Sequence, residues 1–416
     1  MLWFPTLTST NFCPMSIKTL TEQILGKIST TNKWQTKFII HFFELWFKVR
    51  GRHNYVNIAR YGHLGEDTYR NNSGKYFDFL KFNIQLAKDT LSEDRVITFD
   101  PFFVSKSGKH TPGTGYFWSG CAGKETFGLE FSGIGTVDLK DKSALHLLAN
   151  QTIKTNKDQT LLQFYAQQLI DNKDRFFEIS KVVVADAYFS KSPFVEAITA
   201  VGFTLVSRLR KDAVMRYFYL GPQKKGRGRK KKYDGKIDPK NLREDQFSVC
   251  ARCKEGKWIA YEAVVNIPSW KKKVKLVVEH TLDSRGNIKS YKLYVCTDTE
   301  MKGERVKRIY NYRFQSEFLF RDAKQHSGLN HCQARSVEKL HFHINTSLTM
   351  VSLAKAAYHL SKPQKERRAF SLASIRNEYA NTFFFDRIIS MFNVCADSDK
   401  IKLIREDIKR WGKIAA

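Results

Sequence analysis

The sequence contains no long hydrophobic run. Its most apolar stretch, residues 38–47, is interrupted by His41 and Glu44, and no run approaches the roughly 18 residues of a membrane-spanning helix. The first residues also lack a basic stretch ahead of an apolar one, so we expect no secretory signal. These absences argue against a membrane-embedded or secreted protein.

Cysteines are few and scattered. The seven include a single C-x2-C pair, Cys250 and Cys253, and the nearest downstream histidine, His280, stands alone. An odd number of cysteines without tight spacing argues against a disulfide framework and fits a reducing compartment. A structural zinc site would need a second pair of ligands nearby, so we expect none.

Acidic residues are much fewer than basic residues. Asp and Glu number 41 against 70 Lys and Arg, which gives a net charge of +29 and a pI near 9.7. Such a balance is typical of a protein that binds a polyanion, with nucleic acid as the first candidate and an anionic membrane as the alternative. With 42% hydrophobic residues, the 416-residue chain has enough material for two or three folded domains.

Strand and helix patterns alternate in the middle of the chain, which predicts an α/β core with parallel strand pairs. The apolar run RVITFD ends in Asp100, and the buried-type strand KVVVADAYFS ends at Asp186. Between and after them we predict hairpin strands over 124–139, a helix over 142–169, a helix over 193–201 and a strand over 203–211.

Other patterns flank this core. Residues 55–72 fit a helix-turn-helix, or a plain helical subdomain. A basic loop precedes a β-rich region, and helical patterns resume near Lys302. We therefore predict five segments: a helical DNA-binding domain at 1–90, the first part of a catalytic core at 91–211, a basic loop and β-rich insertion at 212–298, the last part of the core at 299–362, and a helical, dimerising C-terminal region at 363–416.

Four residues near position 317 form the most informative motif. Tyr310, Arg313, Glu317 and Lys324 read Y-x2-R-x3-E-x6-K and would fall within roughly a 60° arc of one helix. The carboxylate could hold a metal, and the two cations and the phenol could hold a phosphate beside it. The competing interpretation is a solvated helix face with ordinary ion pairs.

Asp100 and Asp186 would lie at the carboxyl ends of strands, where open α/β sheets bind ligands. If the two strands are neighbours, Glu317 from a packed helix completes three hard oxygen ligands, which suit Mg²⁺ or Mn²⁺. Taken singly, each Asp could instead be a turn or cap residue. Asp322 and Glu304 are rival acids, which we interpret as surface charges.

The order Asp, Asp, long insertion and Glu, with the Y-R-E-K residues around the Glu, resembles the DDE transposases of bacterial insertion sequences. Within these, the sequence is similar to the cut-and-paste group that carries a β-rich insertion, over roughly residues 91–360. The resemblance implies a ribonuclease H-like core with Asp100 on its first strand, Asp186 on its fourth and Glu317 on its last helix. It also implies two metal ions that serve to nick transposon ends and join the 3′-hydroxyls to target DNA.

The resemblance further implies that Tyr310, Arg313 and Lys324 contact the DNA phosphate next to the cut. An aromatic residue of the insertion would stack on a flipped base, and Trp270, followed by three lysines, is favoured over Trp258. A homodimer acting on paired transposon ends is implied, in the cytoplasm of a bacterium and associated with its nucleoid.

Basic residues outside the motif also suggest DNA contacts. Arg227 and Arg229, in a G-R-G-R sequence, resemble a minor-groove hook, although a solubilising loop would look the same. Lys106 and Lys109 follow Asp100 and would touch DNA near the metals. Two alternatives stay open: a DNA-binding protein without catalysis, and a ribonuclease H-like nuclease that cannot join strands.

Overall fold

The computed structural model describes residues 15–108, 110–120, 122–153, 158–223, 225–367, 369–392 and 398–413. The chain forms two compact units. One, the helical unit, comprises Met1–Thr90, Gly108–Pro112 and Leu319–Ala416. The other, the sheet unit, comprises Leu91–Ser107 and Gly113–Phe318. Lys109, one of the predicted DNA contacts, lies outside the described residues.

One mixed sheet forms the centre of the sheet unit. Its strands, in chain order, are β1 (Arg95–Ser105), β2 (Gly115–Ser119), β3 (Lys124–Asp138), β4 (Ser143–Gln151), β5 (Val182–Ala185), β6 (Thr204–Arg208), β7 (Arg216–Phe218), β8 (Tyr233–Lys236), β9 (Ser248–Arg252), β10 (Trp258–Ile267), β11 (Lys272–Leu282) and β12 (Ile288–Cys296).

The core strands lie in the order β4-β3-β1-β5-β6. β1, β5 and β6 are parallel neighbours, whereas β3 runs antiparallel to β1. Val183 and Val184 of β5 are fully buried, as expected for parallel strands covered on both faces. This arrangement confirms the predicted ribonuclease H-like α/β core.

The β-rich insertion continues the same sheet and does not form a separate one. β12 pairs antiparallel with β6, and β11, β10, β7 and β8 follow in order, with β9 also paired to β10. The turn between β11 and β12 is closed by Asp283, whose side chain accepts hydrogen bonds from the backbone N–H groups of Arg285 and Asn287. The insertion is therefore anchored directly to the core through β6.

Helices cover both faces of the core strands. These helices are α6 (Leu161–Ile170), α7 (Lys173–Phe177), α8 (Ser192–Ala200) and α9 (Gly303–Tyr312). On one face, Phe99 of β1 packs against Tyr165 of α6 and Phe194 of α8. On the insertion side, α9 packs on β11, β12 and β6 and buries Val306 and Ile309.

The helical unit includes the helical N-terminal and C-terminal regions, which were predicted as two separate segments. Its helices are α1 (Ile17–Lys27), α2 (Lys33–Lys48), α3 (Tyr55–Tyr61), α4 (Glu66–Asn72), α5 (Phe79–Thr90), most of α10 (Gln315–His326), α11 (Val337–Leu360), α12 (Leu372–Met391) and α13 (Asp399–Arg410). α11 is buried around most of its circumference, and Phe342 on it packs edge-on against Phe42 of α2. Among the described residues, no helix combines the length and the apolarity that crossing a membrane requires.

α3 and α4 occupy the segment predicted as a helix-turn-helix. The turn needs Gly62, because a Cβ at that position would collide with the hydroxyl of Tyr69. The first turn of α4 carries Glu66 and Asp67, which would face DNA phosphates unfavourably at the entry of a major groove. DNA reading by this segment stays a prediction.

The prediction of one helix over 142–169 was wrong. Ser143–Gln151 forms strand β4 along β3, and the helix begins only at Leu161 after the capping residue Thr160. The leucines of β4 are buried on the sheet, and strand pairing with β3 outweighed their helical propensity. The run that was expected to end in Asp100 also continues, as β1 extends to Ser105.

Candidate active site

Asp100 and Asp186 lie side by side on neighbouring strands. Phe99 of β1 and Ala185 of β5 are the last parallel register partners, and the two aspartates are the next residues along each strand. Asp100 is therefore not at a strand end. It lies within β1, opposite Gly133 of β3, at the level where β5 stops.

The backbone holds Asp186 in a fixed position. Its carboxylate accepts a hydrogen bond of 2.8 Å from the N–H of Tyr188, and its carbonyl accepts one of 2.7 Å from the Ser207 hydroxyl on β6. Ser207 also contacts the hydroxyl of Ser190, which donates to the carbonyl of Arg208. The turn after β5 is thus tied to β6, which orients the carboxylate.

The Y-R-E-K residues do not lie on one continuous helix. α9 ends at Tyr312 and α10 begins at Gln315, so Tyr310 and Glu317 lie on separate segments. The break follows from Ser316, whose hydroxyl and backbone N–H both donate to the carbonyl of Arg313, at 2.7 and 3.0 Å. Serine competes with regular helix bonding in this way. Glu317 consequently occupies the first turn of α10.

Arg313 joins two of the three predicted carboxylates. Its guanidinium donates to Asp100 at 3.1 Å and to Glu317 at 2.6 Å. The arginine side chain is mostly buried, while Glu317 remains 38% exposed. Arg313 was predicted to contact a DNA phosphate, and in the structure it pairs with two of the acidic residues themselves.

The carboxylates are close enough to influence one another electrostatically. Burial raises the pKa of Asp100 to about 7, the positive charge of Arg313 opposes that rise, and the negative charges of Asp186 and Glu317 add to it. Like charges in one site favour the neutral form of an acid unless a cation is present. The structure therefore brings the three predicted residues into one electrostatic cluster.

The cluster has the donor chemistry for a divalent cation but not a finished coordination shell. Among the described residues, no three acidic, histidine or cysteine side chains are grouped closely enough to hold one metal ion as they stand. Three carboxylates supply the hard oxygens that Mg²⁺ and Mn²⁺ prefer. Because Arg313 contacts both Asp100 and Glu317, a bound cation would have to share or replace those hydrogen bonds.

Arg208 is a further site residue, which was not predicted from the sequence. It ends β6, and its guanidinium lies 5.9 Å from the ring centre of Tyr310, which also packs on Tyr294. Arg313 approaches the same ring at 5.9 Å. The available signal was the position of Arg208 at the carboxyl end of the strand that follows Asp186.

Glu130 on β3 is a buried acid that was not predicted from the sequence. It is buried and accepts a hydrogen bond of 2.5 Å from the hydroxyl of Tyr165. Burial raises the pKa of Glu130, and the charges of Glu130 and Asp186 contribute to a raised pKa of Tyr188, whose main cause is burial. A buried acid on a strand gives no local sequence signal, because its partner Tyr165 is remote in the chain.

The remaining predicted DNA contacts lie in different places. Lys106 follows β1 in the sheet unit, whereas Lys324 is in the last turn of α10 and belongs to the helical unit. Arg227 and Arg229 are exposed in the loop between β7 and β8. The side-chain amide of Gln223 closes this loop, because it donates a hydrogen bond to the carbonyl of Lys231 and accepts one from the backbone N–H of Lys231.

Trp270, the residue predicted to stack on a flipped base, is buried. Its side chain is only 2% exposed, in a 3₁₀ turn between β10 and β11, so its ring is not available to a DNA base in this conformation. Trp258 is partly exposed and lies beneath the ammonium group of Lys307.

The two rival acids differ from each other. Glu304 is exposed on α9, as expected. Asp322 is paired with Arg321 and its side chain is only 13% exposed, so its interpretation as a surface charge was wrong.

A family model described as a transposase DDE domain matches residues 92–353. The chain belongs to the DDE transposase family. The match includes all three predicted carboxylates and the insertion, and it confirms the family indicated by the Y-R-E-K motif. The protein is accordingly a DNA transposase.

Comparison with solved structures gives a distant similarity. The transposase is similar to the piggyBac transposase, in a cryo-EM structure of its synaptic complex with hairpin DNA, over 96% of this chain and 83% of that chain. The sequence identity is 12% and the TM-score is 0.40. No curated protein matches the sequence significantly.

Proposed function

We propose that this transposase cleaves DNA at transposon ends and joins the freed 3′-hydroxyls to target DNA, with Asp100, Asp186 and Glu317 as the metal-binding catalytic residues. The observation that carries the proposal is the shared contact of Arg313 with Asp100 and Glu317, beside an Asp186 at the same level of the adjacent strand. Acidic side chains from two strands and a helix would thus supply the metal ligands at this level of the sheet.

These residues would hold two Mg²⁺ or Mn²⁺ ions. Such ions supply an activated water or 3′-hydroxyl and stabilise the leaving oxygen of an in-line phosphoryl displacement. The protein's own contribution is orientation: the N–H of Tyr188 fixes Asp186, and Arg313 restrains Asp100 and Glu317. Oriented ligands reduce the reorganisation that would otherwise accompany the reaction.

The cations around the cluster would bind the phosphate backbone. Arg313 and Arg208 flank the ring of Tyr310, and a guanidinium can contact a phosphate through two hydrogen bonds. Lys324, Lys106 and the exposed Arg227 and Arg229 would add further contacts along the DNA. A net charge of +29 supports this assignment.

A homodimer on paired transposon ends completes the proposal. Helices α12 and α13, together with the residue directly after each, expose large apolar side chains, which supports an interface in the C-terminal region. The exposed residues are Phe384, Ile388, Met391, Phe392, Leu403 and Trp411.

The test uses DNA from the two flanks of the gene as the substrate. Asp100→Asn, Asp186→Asn and Glu317→Gln should each abolish Mg²⁺-dependent cleavage and strand joining, while DNA binding stays within about twofold of wild type. Glu304→Gln, which alters an exposed acid of the same unit, is the matched control and should cleave normally. Full cleavage by any of the three variants would remove that residue from the active site.

The same assay separates the alternatives. Cleavage without joining would identify a nuclease, and specific binding by the wild-type protein without any cleavage would identify a DNA-binding protein that lacks catalysis.

A further inference from the structure

A two-stranded ribbon extends from the end of the core sheet where Asp100 lies. β1 pairs with β3 only as far as Ser105 opposite Gly128, and β3 begins earlier, at Lys124. Over this additional stretch β3 pairs with β2, in the register Gly115–Ser119 against Lys124–Gly128. The ribbon therefore continues the sheet beyond the last residue of β1.

One face of the ribbon is aromatic and exposed. Tyr116 is 72% exposed, Trp118 63% and Phe127 39%. Tyr116 and Phe127 are register partners whose rings meet edge to face at 5.7 Å. Because side chains alternate between the faces of a strand, Trp118 lies on the same face as these two. Clustered exposed aromatic residues of this kind mark an interaction surface.

This aromatic face is continuous with the face that carries the Asp100 carboxylate. Asp100 is the register partner of Gly133, and the pairing runs without a shift from there to Gly128. Phe127 lies six residues before Gly133, an even number, so it points to the same side of the sheet. Along the strand this separation is roughly 20 Å at about 3.3 Å per residue.

The charge around the aromatic face is modest. Lys124 lies at the start of β3, and Lys106 immediately follows β1. Glu125, the register partner of Trp118, offsets one of these positive charges. The affinity of the ribbon for a polyanion must therefore come mainly from contacts with its aromatic rings. Most of the electrostatic attraction would come from other parts of the strongly basic chain.

We propose that the ribbon formed by β2 and the start of β3 binds DNA, with Tyr116 and Trp118 stacking on bases or sugars about six base pairs from the point of cleavage. A separation of roughly 20 Å corresponds to about six base pairs at ~3.4 Å each. The proposal rests on the proposed function, because the carboxylates define where the DNA passes. Aromatic stacking tolerates any sequence, since every base has a π-face.

DNA is favoured over a second copy of the chain as the occupant. The ribbon face lies on the same side of the sheet as the acidic cluster, and a duplex that reaches the cluster would need only a short continuation to meet the rings. The proposed dimer contact is the apolar surface of α12 and α13, whereas the net charge of +29 favours a polyanion such as DNA as the occupant of the ribbon.

The test is binding of a 30-base-pair duplex from the gene's flank, measured by fluorescence anisotropy in EDTA so that no cleavage occurs. The double variant Tyr116→Ala/Trp118→Ala should bind about 5- to 100-fold more weakly, which is the range for loss of base stacking. The dependence of affinity on salt should keep its slope, since no phosphate contact is removed. Tyr116→Phe/Trp118→Phe should recover most of the affinity.

Val249→Ala is the matched control, because Val249 is a 45% exposed apolar residue on β9 of the same unit and should not affect binding. Wild-type affinity in the Tyr116/Trp118 double alanine variant would overturn the proposal. The proposal would also be overturned if sedimentation without DNA showed that this double variant had changed from a dimer to a monomer, while its affinity for DNA per chain was unchanged. That result would identify the ribbon as a contact between two chains. Because the assay needs neither metal nor cleavage, a failed active-site assignment would leave this result interpretable.

Discussion

The guanidinium of Arg313 donates a hydrogen bond of 3.1 Å to Asp100, a residue 213 positions earlier in the chain. A second hydrogen bond from the same group, of 2.6 Å, reaches Glu317 on the next helix. One arginine thereby fixes the geometry between a strand and a helix that both supply predicted metal ligands. The site is held together by a cation from the protein itself.

Removing that cation should destabilise the sheet unit. Arg313→Ala leaves Asp100 and Glu317 without their shared donor, and we expect a loss of about 1–3 kcal/mol in EDTA at pH 8, the usual range for hydrogen bonds to charged groups. Urea unfolding measures this loss. Arg405→Ala removes the exposed pair with Asp386 and should cost at most about 1 kcal/mol. Equal effects of the two variants would contradict a structural role for Arg313.

DNA binding by the Y-R-E-K cations can be tested separately. If Arg313 and Lys324 each contact a phosphate, Arg313→Ala and Lys324→Ala should each reduce the slope of log affinity against log salt by about 1. Titrations at several salt concentrations with an uncleaved duplex give the slope. A slope equal to that of wild type would show that Arg313 remains with the carboxylates when DNA is bound.

Asp100 should make the stability of the protein depend on pH. Since its pKa is raised to about 7, the folded protein retains a proton that the unfolded chain releases near pH 4. Folding stability therefore falls as pH rises from about 4 to about 7. Asp100→Asn removes this loss. The melting temperature of the variant minus that of wild type, both measured in EDTA, should therefore increase from pH 5 to pH 8.

The matched control for this measurement is Asp67→Asn, because the Asp67 side chain is 92% exposed. Its difference from wild type should stay nearly constant with pH. A gain for Asp100→Asn that shrinks as pH rises would contradict the assignment.

The buried pair of Tyr165 and Glu130 should contribute to stability. Tyr165→Phe leaves a buried carboxyl without its 2.5 Å donor, and we expect a loss of about 1–3 kcal/mol. A double-mutant cycle with Glu130→Gln isolates the interaction energy. If the two single changes were additive in urea unfolding, the pair would have no energetic coupling and the expectation would fail.

Much of the core was predictable because its signals are local. The β-branched run before Asp186 and the apolar run before Asp100 indicate buried strands, and the Y-R-E-K spacing indicates the last carboxylate. The structure places all three in one cluster. The helix break at Arg313 was not predictable, because it depends on which hydrogen bond Ser316 makes, and neither proline nor glycine marks it.

Long-range packing accounts for the other differences. β4 contains leucines that suit either a helix or a strand, and only its pairing with β3 decides between them. Burial of Trp270 likewise depends on the fold of the insertion, since the lysines that follow it suggest exposure. Arg208 approaches Tyr310 from another strand, a contact that no spacing in the sequence encodes.

The most direct test of the central claim is iron-directed cleavage of the protein backbone. Fe²⁺ can occupy Mg²⁺ sites, and with ascorbate and peroxide it generates radicals that cut the nearest peptide segments. We predict cuts near Asp100, Asp186 and Glu317 in the same sample, suppressed by excess Mg²⁺ and absent in Glu317→Gln. Cuts confined to one or two of these segments, or unaffected by Mg²⁺, would contradict a shared metal site.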